Sequence, residues 1–267
     1  MFHSALEHVE QIAGADGRQL AIFLDYDGTL TPIVNDPEMA LLSDSMRETL
    51  RALVRHTPVA ILSGRDLDDV RRRVDIDGII YAGSHGFDIA GPGELRKEVA
   101  TEFLVKLDLA ERKLREELAG IVGALVERKR FSIAAHYRTM NESDLPELER
   151  VVSGVAARHR ELRSMEGKKV YELQPDIDWD KGKAVLWLLQ ILGLEQANVL
   201  PIYIGDDRTD EDAFRAIRDR GAGILVSERP RATAASYLLK DPTEVQQFLR
   251  ELVTCLDQQR NSTQGLL

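Results

Sequence analysis

Residues 20–33, LAIFLDYDGTLTPI, set five apolar side chains directly against two carboxylates, a glycine and two threonines. An apolar run of this length without alternation reads as a strand buried on both faces, as in a parallel sheet. Asp25 and Asp27 then stand two residues apart where that strand ends. Like charges at this spacing repel, and Gly28 weakens any strand or helix that runs through it. Something must gain from both carboxylates to offset those costs.

Four further runs share the pattern, at residues 58–62, 78–82, 199–204 and 223–226. Between them lie helical patterns at about 43–55, 66–74, 181–192, 209–218 and 243–256. Strand–helix alternation of this kind predicts an open α/β sheet. Pro201 lacks an N–H for a ladder, so the fourth strand is expected to start there. The middle of the chain differs. A charged amphipathic helix at 101–119 is followed by short alternating segments at 124–129 and 132–137. A second helix at 145–160 precedes two more such segments at 162–165 and 169–173. This αββαββ order predicts a small α+β unit at 98–175, inserted into a larger fold made of 1–97 and 176–267.

The chain has 267 residues, 43% of them hydrophobic, enough for a substantial core. Acidic residues outnumber basic ones by 45 to 35, which disfavours nucleic acid and anionic membranes as partners. Cys255 is the single cysteine, so no intramolecular disulfide forms, in keeping with a reducing compartment. The N-terminal stretch MFHSALEHVEQ has no cationic start and no apolar segment, so no signal peptide is expected. The greasiest helical stretch, 184–194, is interrupted by Gln190 and is too short to span a bilayer. A soluble cytoplasmic protein is expected. The oligomeric state is left open, and a monomer is compatible with the sequence.

Four of the five apolar runs end in polar residues: Asp25 to Thr29, Ser63-Gly64-Arg65, Gly83-Ser84-His85-Gly86 and Gly205-Asp206-Asp207. In open parallel sheets ligands bind beyond the carboxyl ends of the strands, so four such ends converge on one crevice. Asp25 and Asp27 are expected on one side of their strand, about 6–7 Å apart. That spacing suits one shared metal ion, with Asp206 and Asp207 arriving from a neighbouring strand. An all-oxygen set without a Cys or His cluster favours Mg²⁺. Local structure accounts for part of this pattern. Ser63 reads equally as a helix N-cap ahead of Asp66, Asp68 and Asp69. Thr209 reads as an N-cap with Asp212 at the capping-box position, which leaves Asp206 and Asp207 unexplained. Lys181 and Gly182 open a strongly apolar helix, where a cation opposes the dipole and glycine costs about 1 kcal/mol. A lysine at a helix start makes a phosphate clamp, with Lys183 a competitor for the role.

Taken together, these residues resemble the haloacid dehalogenase-type phosphatase superfamily, with Asp25/Asp27, Ser63, Lys181 and Asp206/Asp210 in its expected order. The segments DYDGTLTPI, ILSGR, YAGSHGFDI, AAHYR, VYELQP, IDWDKGKAV and YIGDDRTDEDAF are similar to those of trehalose-6-phosphate phosphatases over nearly the whole length. The resemblance implies a haloacid dehalogenase-like Rossmannoid core with a parallel sheet and an inserted α+β cap domain. It implies hydrolysis of a phosphorylated disaccharide, a small-molecule substrate, as the last step of trehalose biosynthesis. Asp25 would form an aspartyl-phosphate and Asp27 would act as acid and then base. Mg²⁺ would be held by Asp25, the Asp27 backbone carbonyl and Asp206. Ser63 and Lys181 would hold the phosphoryl oxygens, with Asp207 and Asp210 supporting the metal and Lys181. On the substrate side stand Gly64, Arg65, Ser84, His85 and Gly86 from the core and Lys129, His136, Arg138 and Glu172 from the cap. Asp88 stands where the family more often has glutamate. Rival readings keep the chemistry and change the ester, to sucrose 6-phosphate, mannosyl-3-phosphoglycerate or a hexose phosphate. A phospho-accepting regulatory module needs neither an acid at Asp27 nor a cap. A catalytically inactive binder is disfavoured because every catalytic position is filled.

Overall fold

The computed structural model describes residues 3–14, 17–34, 36–167, 169–229 and 231–264; Met1 and Phe2 of the N-terminal stretch lie outside them. In chain order the strands are β1 (His3–Ser4), β2 (Gln19–Leu24), β3 (Val59–Leu62), β4 (Ile80–Gly83), β5 (Asp88–Ala90) and β6 (Arg96–Glu98). They continue as β7 (Leu125–Arg128), β8 (Ile133–His136), β9 (Leu162–Gly167), β10 (Val170–Pro175), β11 (Val199–Gly205), β12 (Ala222–Val226) and β13 (Tyr237–Leu239). The helices are α1 (Val9–Ala13), α2 (Asp44–Val54), α3 (Leu67–Val74), α4 (Leu104–Leu118), α5 (Leu145–Arg158), α6 (Lys181–Ile191), α7 (Asp210–Ile217) and α8 (Pro242–Gln264).

Two compact units result: residues up to Arg96 together with those from Trp179 on, and Lys97–Asp178 between them. The larger unit is built on a sheet of order β1-β13-β12-β11-β2-β3-β4-β5-β6. It is parallel from β1 through β4, and β5 turns antiparallel. β2 shows why its sequence does not alternate. Leu20, Ile22 and Leu24 pack into one buried cluster with α2 and α8, while Ala21 and Phe23 pack into another with α6 and α7. Both faces are dry, so both must be apolar. At α2 the Ser43 side chain accepts from the Met46 N–H, and at α6 Asp180 accepts from that of Lys183.

Pro201 does not start its strand. β11 runs from Val199 and pairs through Pro201 with Ala21 of β2, whereas its ladder with β12 begins only at Ile202. The Pro201 carbonyl faces Gly221, ahead of β12. The missing N–H therefore falls on the side where no ladder has yet formed, which is how a proline is accommodated in an interior strand.

In the Lys97–Asp178 unit, β7, β8, β10 and β9 form an antiparallel sheet. α4 and α5 cover one face through Leu107, Ala110, Leu114, Leu148, Val151 and Val155, so this unit has a core of its own. α4 begins after a 3₁₀ turn, Thr101–Phe103, rather than at residue 101. Among the described residues no helix is long and apolar enough to cross a membrane.

Candidate active site

Asp25 follows directly on β2, and β11, its neighbour, accepts the Asp25 N–H on the Ile204 carbonyl at 2.9 Å. Lys181, in the first turn of α6, donates to Asp25 Oδ1 and to Asp210 Oδ1, both at 2.7 Å. All three are buried. Asp210 Oδ1 also accepts from the Tyr203 hydroxyl at 2.7 Å, and Oδ2 accepts from the Asp207 N–H at 2.8 Å. Burial works against the ammonium charge of Lys181, but Asp210 and Asp25 outweigh it and hold the group well above its ordinary range. Burial also pushes the Asp25 carboxyl up, against the pull of Lys181, and the like charges of Asp210 and Asp206 add to the push.

One carboxylate oxygen from each of Asp25, Asp206 and Asp210 lies within 4.8 Å of the others. Three carboxylates against one ammonium leave two negative charges, the complement of a divalent cation. Asp210 is spent on three donors, so Asp25 and Asp206 are the carboxylates with capacity for an ion. Hard oxygen donors of this kind fit magnesium or a similar cation. Gly28 explains how Asp206 reaches this place: φ is +87°, and a Cβ there would lie 2.2 Å from the Asp206 carboxylate. Gly182 acts likewise for Lys181. A Cβ at Gly182 would meet the Asp212 carbonyl at 2.4 Å, so glycine lets α6 close on α7 and brings Lys181 to Asp210.

The Asp27 carboxylate does not join this cluster. After Asp25 the chain leaves the extended conformation, and the Tyr26 carbonyl accepts from the N–H groups of Thr29, Leu30 and Thr31. The two-residue spacing of a strand therefore lapses before Asp27. Instead Arg65 grips Asp27 with two bonds, Nε to Oδ2 at 2.8 Å and Nη2 to Oδ1 at 2.7 Å. Arg65 also donates to Asp69 and to the Pro37 carbonyl, and its guanidinium lies 5.5 Å from the Tyr26 ring centroid. Asp69 in turn accepts from Arg73, which pairs with Glu38. Arg65, expected on the substrate side, thus has the protein's own acid as its partner.

Ser63 is fully buried, and its Oγ accepts from the Arg65 N–H at 3.1 Å. It is not the N-cap of α3, a position that Asp66 fills. The next strand end is stitched to it, with the His85 N–H donating to the Ser63 carbonyl and the Ser84 N–H to that of Arg65. Ser84, His85 and Gly86 take φ of 48°, 57° and 92°, three successive left-handed residues. Such strain persists only where the surroundings enforce it, and it concentrates at functional sites. Gly64 makes room for it, since a Cβ there would sit 2.8 Å from the His85 ring. Thr209 makes no side-chain capping bond at α7, and Asp212 pairs with Arg215, so the expected capping box is absent.

With this geometry in view, the trehalose-phosphatase family model matches residues 23–243. The chain belongs to the trehalose-phosphatase family. It is 46% identical over 264 residues to the probable trehalose-phosphate phosphatase D of Arabidopsis thaliana, covering 94% of this chain and 72% of that one. In structure it is similar to the trehalose-6-phosphate phosphatase C-terminal domain of C. albicans, with a TM-score of 0.82 and 21% identity over 95% and 98% of the two chains. It is also similar to a haloacid dehalogenase-like hydrolase from Bacteroides thetaiotaomicron, with a TM-score of 0.64 and 17% identity over 88% and 99%. At those identities the likeness is one of fold.

Within this trehalose-phosphatase, Lys181 rather than Lys183 reaches Asp25; the Lys183 N–H caps onto Asp180. Asp207 contributes its N–H to Asp210, while its Oδ1 accepts from the Arg208 N–H. Asp88 is buried against Arg96 at 2.8 Å. In the smaller unit, Glu172, Ala134 and Glu127 share one register row and His136 lies two residues on along β8. Their side chains point away from the helix-covered core. Glu172 accepts from Lys129 at 3.2 Å and from Ser132, and His136 Nε2 lies 2.7 Å from Glu127. Arg138 is exposed just past β8. Tyr203 and Arg73 were not singled out from sequence, and Asp69 was read only as an acid at a helix start. A tyrosine inside a fully buried strand needs a partner for its hydroxyl, which is the signal that marks Tyr203.

Proposed function

We propose that this chain hydrolyses trehalose 6-phosphate to trehalose and inorganic phosphate, closing trehalose synthesis. The observation that carries the reading is Lys181, bonded at 2.7 Å to both Asp25 and Asp210 beyond the ends of a parallel sheet, in a chain of this family. Asp25 attacks phosphorus, the bond from phosphorus to the sugar oxygen breaks, and an acyl phosphate forms on Asp25. Asp27 gives its proton to the departing sugar oxygen, which leaves poorly as an alkoxide. Water then attacks the same phosphorus, Asp27 takes a proton from it, and the Asp25 carboxylate returns as phosphate departs.

Arg65 holds Asp27 to one direction for both proton transfers. Lys181 and Ser63 stand at the phosphoryl oxygens, where preorganised donors favour the charge of the transition state. Asp210 and the Asp207 backbone keep Lys181 in place. Mg²⁺, held by Asp25, Asp206 and the Asp27 backbone carbonyl, supplies positive charge against the phosphate when bound. The Lys97–Asp178 unit serves as cap and the rest of the chain as catalytic core. Lys129, His136, Arg138 and Glu172, with Ser84, His85 and Gly86, recognise the disaccharide, and Gly64 gives His85 its space. The acidic composition and single cysteine support a cytoplasmic enzyme without a nucleic-acid partner.

The test is phosphate release with Mg²⁺ from trehalose 6-phosphate, sucrose 6-phosphate and glucose 6-phosphate. Turnover of the first alone is expected, lost with EDTA and in Asp25→Asn by about 10⁴-fold or more. Metal-dependent release from another ester instead would move the substrate and leave the chemistry. No release from any of them would overturn both.

A further inference from the structure

The loop between β11 and α7 carries Asp206, and its backbone is pinned from two directions. The peptide joining Asp206 to Asp207 offers one carbonyl and one N–H. The N–H donates inward to Asp210 Oδ2 at 2.8 Å. The carbonyl accepts from Arg231 Nη2 at 3.1 Å, and the same nitrogen reaches the Asp207 carbonyl at 3.3 Å. A peptide plane held at both ends cannot rotate. That rotation is the backbone torsion of Asp206 itself, which sets where its carboxylate leaves the chain. Arg231 is seated in turn by Glu211, in the first turn of α7. Glu211 Oε1 lies 3.6 Å from Arg231 Nη1, and Oε2 accepts from the Ala234 N–H at 2.8 Å. The Glu211 side chain is buried, so the segment after β12 is fastened to the Asp206 loop at Arg231 and to the start of α7 at Ala234.

We propose that Arg231, held by Glu211, is a positioning residue for the metal site: it fixes the Asp206–Asp207 peptide so that the Asp206 carboxylate faces Asp25, and thereby sets the affinity for the divalent cation. The inference rests on the metal-dependent reading above. It makes a prediction of sign. As a bare positive charge beside a cation site, Arg231 would repel the ion, and its removal would tighten binding. As a positioning group, its removal weakens binding, and partners that orient a ligand are typically worth 10–100-fold in affinity.

Purified protein is melted across a Mg²⁺ titration, since an ion bound only to the folded state raises the melting temperature. Arg231→Ala is expected to move the midpoint metal concentration up by about tenfold. Arg231→Lys keeps the charge but lacks the planar guanidinium that meets the two carbonyls through Nη2 and Glu211 through Nη1, and is expected to shift the same way. Glu211→Gln should give a smaller rise, because its amide oxygen still accepts from Ala234. Turnover of each variant should be low at limiting Mg²⁺ and recover as the ion is raised. A midpoint that is unchanged or lower in both Arg231 variants overturns the inference, even if both melt at a lower temperature without metal. If the wild type itself gains no stability from Mg²⁺ and releases no phosphate, the underlying reading falls, and this one with it.

Discussion

The strand ends of the large sheet and the open face of the small one both carry charged groups, but they are wired differently. Asp25, Lys181, Asp210 and Tyr203 are buried together and share partners distant in sequence: Lys181 bonds Asp25 across 156 positions and Asp210 across 29. On the small sheet the charged contacts are half-buried and stay within that sheet, as with Lys129–Glu172 and Glu127–His136. A buried hub cannot relax when one member is removed, whereas paired groups with access to water can. The first arrangement suits chemistry that needs fixed geometry, the second suits recognition that adapts.

The comparison breaks if a single substitution has the same effect in both places. Lys181→Met leaves two buried carboxylates without their cation and is expected to cost about 3–5 kcal/mol of stability. Lys129→Met removes a pair that water reaches and should cost about 1 kcal/mol. Urea denaturation of the two variants measures the difference, and equal losses would dissolve the distinction.

A smaller effect is expected at Gly28. Alanine there must hold φ at +87° and place its Cβ against the Asp206 carboxylate. About 1–2 kcal/mol of backbone strain follows, together with a raised Mg²⁺ requirement for turnover. Gly93 also has positive φ but meets nothing within 4 Å, so Gly93→Ala carries the strain alone. Comparing the two separates strain from displacement of the carboxylate.

An effect of similar size but dependent on pH is expected at Asp69, which tests whether the Asp27 clamp belongs with the hub. Burial pushes the Asp69 carboxyl up, but hydrogen bonds from Arg73 and Arg65 prevail and hold it below its ordinary 3.8. A depressed carboxylate stabilises the fold above that value and loses its contribution as the pH falls through the depressed one. Asp69→Asn should therefore be less stable by about 1–2 kcal/mol at neutral pH, with the gap to wild type shrinking once the pH drops below 3.8. A gap that holds constant with pH would show that the charge of Asp69 is not what matters.

Much of this was legible in sequence because burial on both faces leaves an unmistakable apolar run, as at 20–24, and because polar residues at the ends of four such runs have no other common explanation. Lys181 and Gly182 were legible as a local contradiction, a cation and a glycine where a helix wants neither. What escaped was whatever depends on the path of the backbone after a strand ends. Asp27 was expected beside Asp25 because strand periodicity was carried two residues too far, into a turn. Thr209 looked like a cap because local capping rules do not register that its own backbone is already helical, with φ −67° and ψ −21°, where an N-cap is normally extended. Pro201 looked like a boundary because a ladder's absence on one side of a strand depends on where the neighbouring strand starts. Arg231 acts only through partners that folding brings to it, whereas Asp69 stands four residues from both Arg65 and Arg73, a helical spacing that was legible in sequence and went unread.

β2 lies between β3 and β11. As the chain leaves the ribosome, β3 follows β2 by some 35 residues, but β11 emerges some 175 residues later. In the interval one edge of this apolar strand has no native partner, and Asp25 has no lysine. The intervening segment shortens the wait in effect, because the Lys97–Asp178 unit has its own core and can form first. Once folded, its residues no longer count as flexible chain, which lowers the entropy lost when β11 docks. An insertion with a core of its own therefore leaves less loose chain to order when the sheet it interrupts is completed.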